Sequence, residues 1–143
     1  ELLMVGKRNH SLNNYAATLG LPEGVIQFAG EIPYNEVAVK MKESDALVLF
    51  SVVENAPCVI SEAICCGLPV VATRIGGIPE MLDEQNGMMV AAGDEEALKN
   101  ALLHLKQNAG KYNRAEIASK ATALYNYQVV GQEITAIYKK VTG

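Results

Sequence analysis

The sequence contains 143 residues, of which 50% are hydrophobic and 20% are charged, and its formal net charge is -4. This length and composition are those of one globular domain that can bury a core. The negative charge argues against nucleic acid or an anionic membrane as a partner, because both require a basic face. We find no apolar run near the ~20 residues of a membrane-spanning helix and no signal peptide.

Five short apolar runs predict β-strands. The runs are near-continuous rather than alternating, which is typical of strands that are buried on both faces. The predicted strands are Leu2–Val5, Val25–Ala29, Ala46–Phe50, Val70–Thr73 and Gly87–Val90.

Predicted helices separate most of these strands, and three more follow the last strand. The helices expected between strands are Ser11–Leu19, Glu36–Glu43, Pro57–Cys66 and Ile78–Asp83. Gly67 is expected to end the third of these as its C′ residue. Asp94 and Asn113 are predicted N-caps of two later helices, and Val129–Val141 predicts the last one. Strands that alternate with helices indicate an α/β fold, here a Rossmann-like doubly wound parallel sheet with C-terminal helices.

The chain enters its first predicted strand directly after Glu1, with no lead-in to a segment that we expect to lie in the core. We therefore interpret residues 1–143 as a single domain that is a piece of a longer polypeptide. Cys58, Cys65 and Cys66 are odd in number and include an adjacent pair, which suits reduced thiols in the cytoplasm better than disulfides. Because no Cys or His spacing resembles a metal site, no metal is expected.

Two carboxylates, Glu54 and Glu62, flank the start of the third predicted helix. Glu54 follows the strand Ala46–Phe50, and Glu62 lies one or two turns inside the helix that Pro57 opens. A helix N-terminus holds anions through its free N–H groups and the positive end of its dipole. Carboxylates beside such a terminus indicate a phosphate-bearing ligand with hydroxyl groups. From the residues alone, two structural surface acids are an equally good interpretation.

The predicted strand ends provide a second indication of a site, because open α/β sheets bind ligands at the carboxyl ends of their strands. One of these ends, Arg74–Gly77, contains two glycines but is not the GxGxxG fingerprint of dinucleotide-binding proteins. A tight turn explains that segment as well as a ligand does. The other ends are Gly6–Arg8, Gly30–Ile32, Ser51–Ala56 and Ala91–Gly93.

Five motifs follow one another between residues 50 and 87. They are Phe50-Ser-x-x-Glu54, Ser61-Glu-Ala63, Cys66-Gly-Leu-Pro-Val-Val-Ala-Thr73, Gly76-Gly-Ile-Pro-Glu80 and Asn86-Gly87. Together they resemble one large family, the retaining glycosyltransferases of family 4, which have the GT-B fold. The resemblance covers nearly the whole chain, and it is the combination of motifs that is specific.

The resemblance implies that this chain is the C-terminal, donor-binding half of an enzyme with two Rossmann-like domains. Its implied reaction is transfer of a hexose from a UDP- or GDP-sugar to an acceptor hydroxyl with retention of configuration, without a metal or cofactor. The implied partners are the nucleotide-sugar donor and the N-terminal GT-B domain of the same polypeptide. The implied location is the cytoplasm or the cytoplasmic face of the membrane. The fragment alone is expected to be inactive, because that domain and the family's cationic diphosphate clamp lie outside it.

The resemblance also implies roles for individual residues. Glu54 matches the first acid of a Glu-seven-Glu motif, close to the donor sugar, and is the implied catalytic residue. Glu62 matches the second acid, which accepts hydrogen bonds from the ribose hydroxyls. The other implied donor-binding residues are Gly6 at the phosphates, Gly30, Glu31 and Ile32 at the base, and Asn55, Ala56, Pro57, Cys58 and Val59 at the diphosphate or sugar.

The chain departs from the family pattern directly after the first acid. The family often has Gly-Phe-Gly where this chain has Asn55-Ala56-Pro57. Less glycine leaves this loop less conformational freedom. Two other functions stay open, namely a sugar-nucleotide epimerase half of GT-B architecture and a non-catalytic α/β interaction module in which both acids are solvated.

Overall fold

The computed structural model describes residues 1–142, which divide into two compact units. The first unit contains residues 1–37, and the second begins at Ala38. All five predicted strands are present, and every strand pairing among the described residues is parallel. The predicted α/β class is therefore confirmed, with the strands distributed over a two-stranded and a three-stranded sheet.

The first unit is built around two parallel strands. Leu2 lies opposite Ile26, and Val5 lies opposite Gly30 after an irregularity in the register at Met4. The unit contains β1 (Leu2–Val5), α1 (His10–Thr18) and β2 (Ile26–Gly30). The Asn9 side chain caps α1 by accepting a hydrogen bond from the Ser11 amide at 3.0 Å.

The expectation that every strand is buried on both faces is wrong for β1. Leu2 and Val5 are each 45% exposed. Among the described residues, β1 pairs with β2 alone, so its other edge has no strand to cover it. An apolar run indicates where a strand forms, but it does not show whether other elements cover both faces of that strand.

The second unit is built around a central strand that is completely buried. Its sheet has the order β3-β4-β5, and Val70, Val71 and Ala72 of β4 have no exposed surface. Its first elements are the end of α2 (Tyr34–Glu43), β3 (Leu47–Leu49), α3 (Cys58–Cys65), β4 (Val70–Thr73), α4 (Ile78–Met81) and β5 (Gly87–Val90). Hydrophobic burial of about 25 cal/mol per Å² makes this strand the natural centre of the core.

Helices complete the second unit after β5. They are α5 (Glu95–Gln107), a short 3-10 turn (Ala109–Lys111), α6 (Arg114–Tyr125) and α7 (Tyr127–Thr142). Both predicted N-caps are confirmed. The Asp94 side chain accepts a hydrogen bond from the Ala97 amide at 2.8 Å, and Asn113 accepts one from the Glu116 amide at 3.3 Å.

The fourth helix is shorter than predicted. It ends at Met81 rather than Asp83, because Leu82 is extended and the chain enters a hydrogen-bonded loop. Asp83 accepts a hydrogen bond from the Gln85 amide at 2.8 Å, and the Asn86 side chain accepts one from the Asp83 amide at 2.9 Å. Short polar side chains that bond nearby backbone amides compete with helix continuation.

The helix α7 keeps an apolar stripe at the surface. Tyr127, Ile137, Tyr138 and Val141 are all more than half exposed. The periodicity predicted the helix correctly, but no residue from Tyr127 to Val141 is buried. No described helix combines the length and the apolar character needed to span a bilayer.

The contact between α3 and α6 requires a glycine. Gly67 has φ +74 and its amide bonds the Ile64 carbonyl at 2.9 Å, so it ends α3 as the predicted C′ residue. A Cβ placed on Gly67 would lie 2.4 Å from the Arg114 carbonyl oxygen. The Arg114 side chain in turn donates to the Ser44 carbonyl at 2.9 Å. The C-terminal end of α3 and the start of α6 are thus packed without room for a side chain.

We expect Gly67→Ala to lower the free energy of unfolding by about 3 kcal/mol, because it adds left-handed strain to a steric overlap. The control is Gly131→Ala on α7, where a Cβ would meet nothing within 4 Å. This control should be neutral or stabilising by up to ~1 kcal/mol, since alanine favours helix. Urea denaturation measures both variants, and equal stability of the two would contradict the packing described.

Candidate functional site

A loop that we call the acid loop, Ser51–Pro57, connects the carboxyl end of β3 to α3. Its first residue, Ser51, is hydrogen-bonded to the neighbouring strand β4. The Thr73 hydroxyl, at the end of β4, donates to the Ser51 carbonyl oxygen at 2.7 Å. Thr73 has no exposed surface, so its hydroxyl must find a partner inside the protein. This bond attaches the start of the acid loop to the buried centre of the sheet.

A second segment, the glycine turn (Arg74–Gly77), holds the middle of the acid loop. The Gly77 amide donates to the Asn55 carbonyl oxygen at 2.5 Å. Gly76 has φ +53, and a Cβ there would lie 2.2 Å from the Glu54 carbonyl oxygen. A Cβ on Gly77 would lie 2.9 Å from the Asn55 carbonyl oxygen. The two glycines are therefore needed for the close approach of the two backbones, so packing within the protein accounts for both of them.

Glu54 is half-buried between these two attachments. Its Oε1 accepts a hydrogen bond from the Ser51 hydroxyl at 2.8 Å. The neighbouring side chains of Val52 and Val53 are 75% and 83% exposed, so they contribute little packing to the loop. Hydrogen bonds and backbone contacts, rather than hydrophobic burial, define the position of this carboxylate.

The helix α3 starts one residue later than predicted, at Cys58. Pro57 takes the N-cap position, where it supplies no side-chain hydrogen bond. The first N–H groups of a helix have no intrahelical partner. Here the Pro57 carbonyl accepts a hydrogen bond from one of them, the Ile60 amide, at 3.0 Å. The Asn55 and Ala56 side chains are exposed, Val59 is half-buried, and the Cys58 side chain is exposed. The start of α3 is thus an open, amide-rich position next to Glu54 in the chain.

Glu62 lies on the fifth residue of α3, about 6 Å along the helix axis from Cys58. It is half-buried, on a helix whose other face carries the fully buried Ile60 and Ala63. The structure therefore does not place this carboxylate on a fully solvated surface. Both acids of the predicted pair belong to the second unit.

The four remaining predicted residues lie in the first unit. The Gly6 amide donates to the Gly30 carbonyl at 2.9 Å, so these two residues lie together at the carboxyl ends of β1 and β2. Gly30 is buried beneath the Arg8 side chain, since a Cβ there would lie 3.3 Å from its Nε. Glu31 is exposed and Ile32 is half-buried. Their assigned ligand contacts remain predictions.

Sequence reasoning missed two site residues, Ser51 and Thr73, which act through their hydroxyl groups. Ser51 occurs in the first motif, three residues before Glu54, but nothing in the sequence shows that it bonds this acid. Thr73 is the one polar residue of an apolar strand, and it lies at the carboxyl end. That position was the available signal, because a polar side chain that ends a buried strand must find a partner nearby.

The three cysteines are free thiols with different surroundings. Cys58 is exposed at the start of α3, whereas Cys65 is partly buried near its end. Burial raises the pKa of the Cys65 thiol; a hydrogen bond to Thr122 lowers it by less, and Cys66 adds a small increase. The exposed Cys58 should therefore be the more accessible to thiol reagents.

No group of three or more His, Cys, Asp or Glu residues within residues 1–142 could hold a metal ion. A cavity of about 740 Å³ lies elsewhere in the second unit, between the segment Pro79–Asn86 and the helix α6. No residue of the acid loop lines it. The Lys120 side chain crosses this region and donates to Gln85 Oε1 at 2.5 Å.

Comparison with known proteins identifies relatives of the chain. Residues 1–108 match the family described as "Glycosyl transferases group 1". The phosphatidyl-myo-inositol mannosyltransferase of Mycobacterium leprae (strain TN) is 32% identical, over 99% of this chain and 38% of that protein. The chain spans about a third of the length of other curated relatives it matches, with shares of 31%, 30% and 31%.

Solved structures share the fold of the chain. Sucrose-phosphate synthase from Thermosynechococcus elongatus superposes with a TM-score of 0.87 and 23% identity, over 98% of this chain and 38% of that one. HepE from Anabaena, solved in complex with UDP-glucose, superposes with a TM-score of 0.84 and 23% identity, over 96% of this chain and 40% of that one. At these identities the likeness confirms the predicted fold.

We expect Gly76→Ala to displace the acid loop and to destabilise the protein by roughly 3 kcal/mol. The matched control is Gly93→Ala, which has a similar φ of +76 but meets nothing within 4 Å. Since both variants carry left-handed strain, the difference between their free energies of unfolding isolates the contact with the Glu54 and Asn55 carbonyls. Equal losses of stability would show that this contact is not tight.

Proposed function

This chain belongs to the group 1 glycosyl transferase family, and from that premise we propose that it is the donor-binding half of a retaining hexosyltransferase. The complete enzyme transfers a hexose from a UDP- or GDP-sugar to an acceptor hydroxyl. The observation that carries this proposal is the position of Glu54, which hydrogen bonds and a glycine contact hold beside the open start of α3. HepE, which shares the fold, was solved with UDP-glucose, and this supports a nucleotide-sugar ligand.

We propose that the amide groups at the start of α3 bind the donor diphosphate. The residues concerned are Asn55, Ala56, Pro57, Cys58 and Val59, of which Pro57 contributes shape but no N–H group. The positive end of the helix dipole stabilises the negative charge that develops on the leaving diphosphate. This arrangement supplies charge stabilisation from the backbone, so the proposed mechanism uses no metal and no cofactor.

Glu54 is proposed to orient the donor sugar and to stabilise positive charge that develops at its anomeric carbon. The bond between that carbon and the diphosphate oxygen breaks, and the acceptor oxygen attacks from the same face. The departing diphosphate takes the acceptor proton, so configuration is retained without a covalent enzyme intermediate. In this scheme Glu54 acts by position and charge rather than as a nucleophile.

Glu62 is proposed to accept hydrogen bonds from the ribose hydroxyls. In the first unit, Gly30, Glu31 and Ile32 are proposed to contact the base, and Gly6 the phosphates. The position of Glu62 in the Ser61-Glu-Ala63 motif supports its assignment, and the family match over residues 1–108 supports those in the first unit. The free thiols suit a reducing compartment, so we propose the cytoplasm as the location. The N-terminal GT-B domain of the same polypeptide is the proposed acceptor-binding partner.

The role of Glu62 can be tested by calorimetry on the full-length protein. We expect Glu62→Gln to weaken the binding of UDP or GDP by about ten- to a hundredfold, because a hydrogen bond to a charged group is lost. The same titrations with deoxyribose analogues should show a similar loss for the wild type and little further loss for Glu62→Gln. The control is Glu84→Gln, which removes the same charge from an exposed loop residue.

A loss of UDP or GDP affinity in Glu62→Gln that is the same for ribose and deoxyribose forms would contradict a direct contact. Product analysis separates the wider alternatives. Release of a free nucleoside diphosphate with sugar transfer supports the proposal, whereas an isomerised sugar nucleotide would indicate an epimerase. Absence of nucleotide binding by the full-length protein would favour an interaction module.

Cys58 offers an independent report on the diphosphate position. We expect a saturating nucleoside diphosphate to slow alkylation of the Cys58 thiol by about tenfold or more, because the ligand covers the exposed start of α3. Mass spectrometry of the labelled peptides measures each cysteine separately. Cys65, whose pKa is raised chiefly by burial, should react slowly with or without nucleotide and serves as the internal control. Unchanged Cys58 labelling at saturation would place the diphosphate elsewhere.

A further inference from the structure

The position of Glu54 depends on a small number of polar contacts. The acid loop is attached at Ser51 by the Thr73 hydroxyl and at Asn55 by the Gly77 amide. Between these points Val52 and Val53 face solvent and pack little. Within this span the Ser51 hydroxyl donates a side-chain hydrogen bond to Glu54 Oε1 at 2.8 Å.

This hydrogen bond leaves the two carboxylate oxygens in different environments. Oε1 accepts the hydrogen bond from the Ser51 hydroxyl and keeps one further lone pair, whereas Oε2 receives no hydrogen bond from Ser51 and keeps both lone pairs for a ligand hydroxyl or a developing positive charge. A glutamate has three rotatable side-chain bonds, and a single fixed oxygen removes most of that freedom. Because the Ser51 backbone is itself tied to the buried Thr73, the hydroxyl acts from a rigid base.

We propose that Ser51 is a positioning residue for Glu54, which selects the carboxylate oxygen presented to the donor sugar and holds it in place before the donor binds. This inference rests on the proposed function, since it assigns Glu54 to the sugar. The role of Ser51 is additional to the proposed function, because Ser51 contacts the Glu54 carboxylate and not the ligand. Electrostatic stabilisation is effective only when the charged group is held in its productive position in advance.

The test compares Ser51→Ala with Ser51→Thr in the full-length protein. We expect Ser51→Ala to lower kcat by about ten- to a hundredfold, because a charge-assisted hydrogen bond is lost. The affinity for UDP or GDP without a sugar should change by less than about threefold, since Glu62 and the α3 amides are intact. Ser51→Thr retains the hydroxyl and should restore kcat to within about threefold of wild type.

Two controls separate positioning from a general structural effect. Ser44→Ala removes a similar hydroxyl hydrogen bond, to the Lys40 carbonyl at 2.7 Å, and should leave kcat unchanged. In a Glu54→Gln background, Ser51→Ala should cost less than about threefold, because the carboxylate that it positions is already gone. Full additivity of the two substitutions would overturn the inference.

A crystal structure of the Ser51→Ala variant decides the positioning claim without any activity measurement. We expect the Glu54 carboxylate to leave its wild-type position or to adopt more than one. An unchanged Glu54 carboxylate, or a loss of nucleotide affinity as large as the loss of kcat, would overturn the inference. If the wild type transfers no sugar while the variant still displaces Glu54, the proposed function fails and the positioning of Glu54 stands.

Discussion

The complete burial of β4 is the constraint on which the candidate site depends. Val70, Val71 and Ala72 have no exposed surface, and neither does Thr73 at the end of the strand. A hydroxyl that cannot reach water must bond within the protein, and that of Thr73 bonds the Ser51 carbonyl. The packing of an apolar core therefore determines where a polar loop begins. Substitutions that loosen the packing of β4 should consequently also change the position of Glu54, although they lie outside the site.

The glycine turn provides the second attachment of the acid loop, after the one from the buried strand β4. Gly76 and Gly77 let the turn approach the Glu54 and Asn55 carbonyls more closely than any side chain would permit. The loop is thus held at its start and its middle, while Val52 and Val53 remain exposed. The chain has Asn55-Ala56-Pro57 directly after Glu54, and contacts across the strand ends hold this segment. A preorganised carboxylate is what stabilisation of a charged transition state requires.

The proposed function must also accommodate an unfavourable overall charge. The chain has a net charge of -4, and the proposed donor carries a diphosphate that should be repelled by it. The amides at the start of α3 and the positive end of its dipole are proposed to provide attraction that is local and independent of net charge. We therefore attribute the proposed recognition of the diphosphate by this chain to backbone groups. Pro57 caps α3 without a side-chain hydrogen bond, so no cap side chain competes with a ligand for the amides at that position.

The sequence by itself determined the elements and the family. The bounds of β1, β4 and β5, the caps Asp94 and Asn113, and the helix-ending Gly67 could all be predicted, because such signals depend on residues within a few positions of one another. Only the tertiary structure decided that Thr73 reaches Ser51, that Gly76 lies against Glu54, and that β1 keeps exposed apolar residues. Each of these depends on which strands lie side by side and on what covers them. Residues about twenty positions apart meet through that arrangement, and no local pattern of apolar and polar residues encodes it.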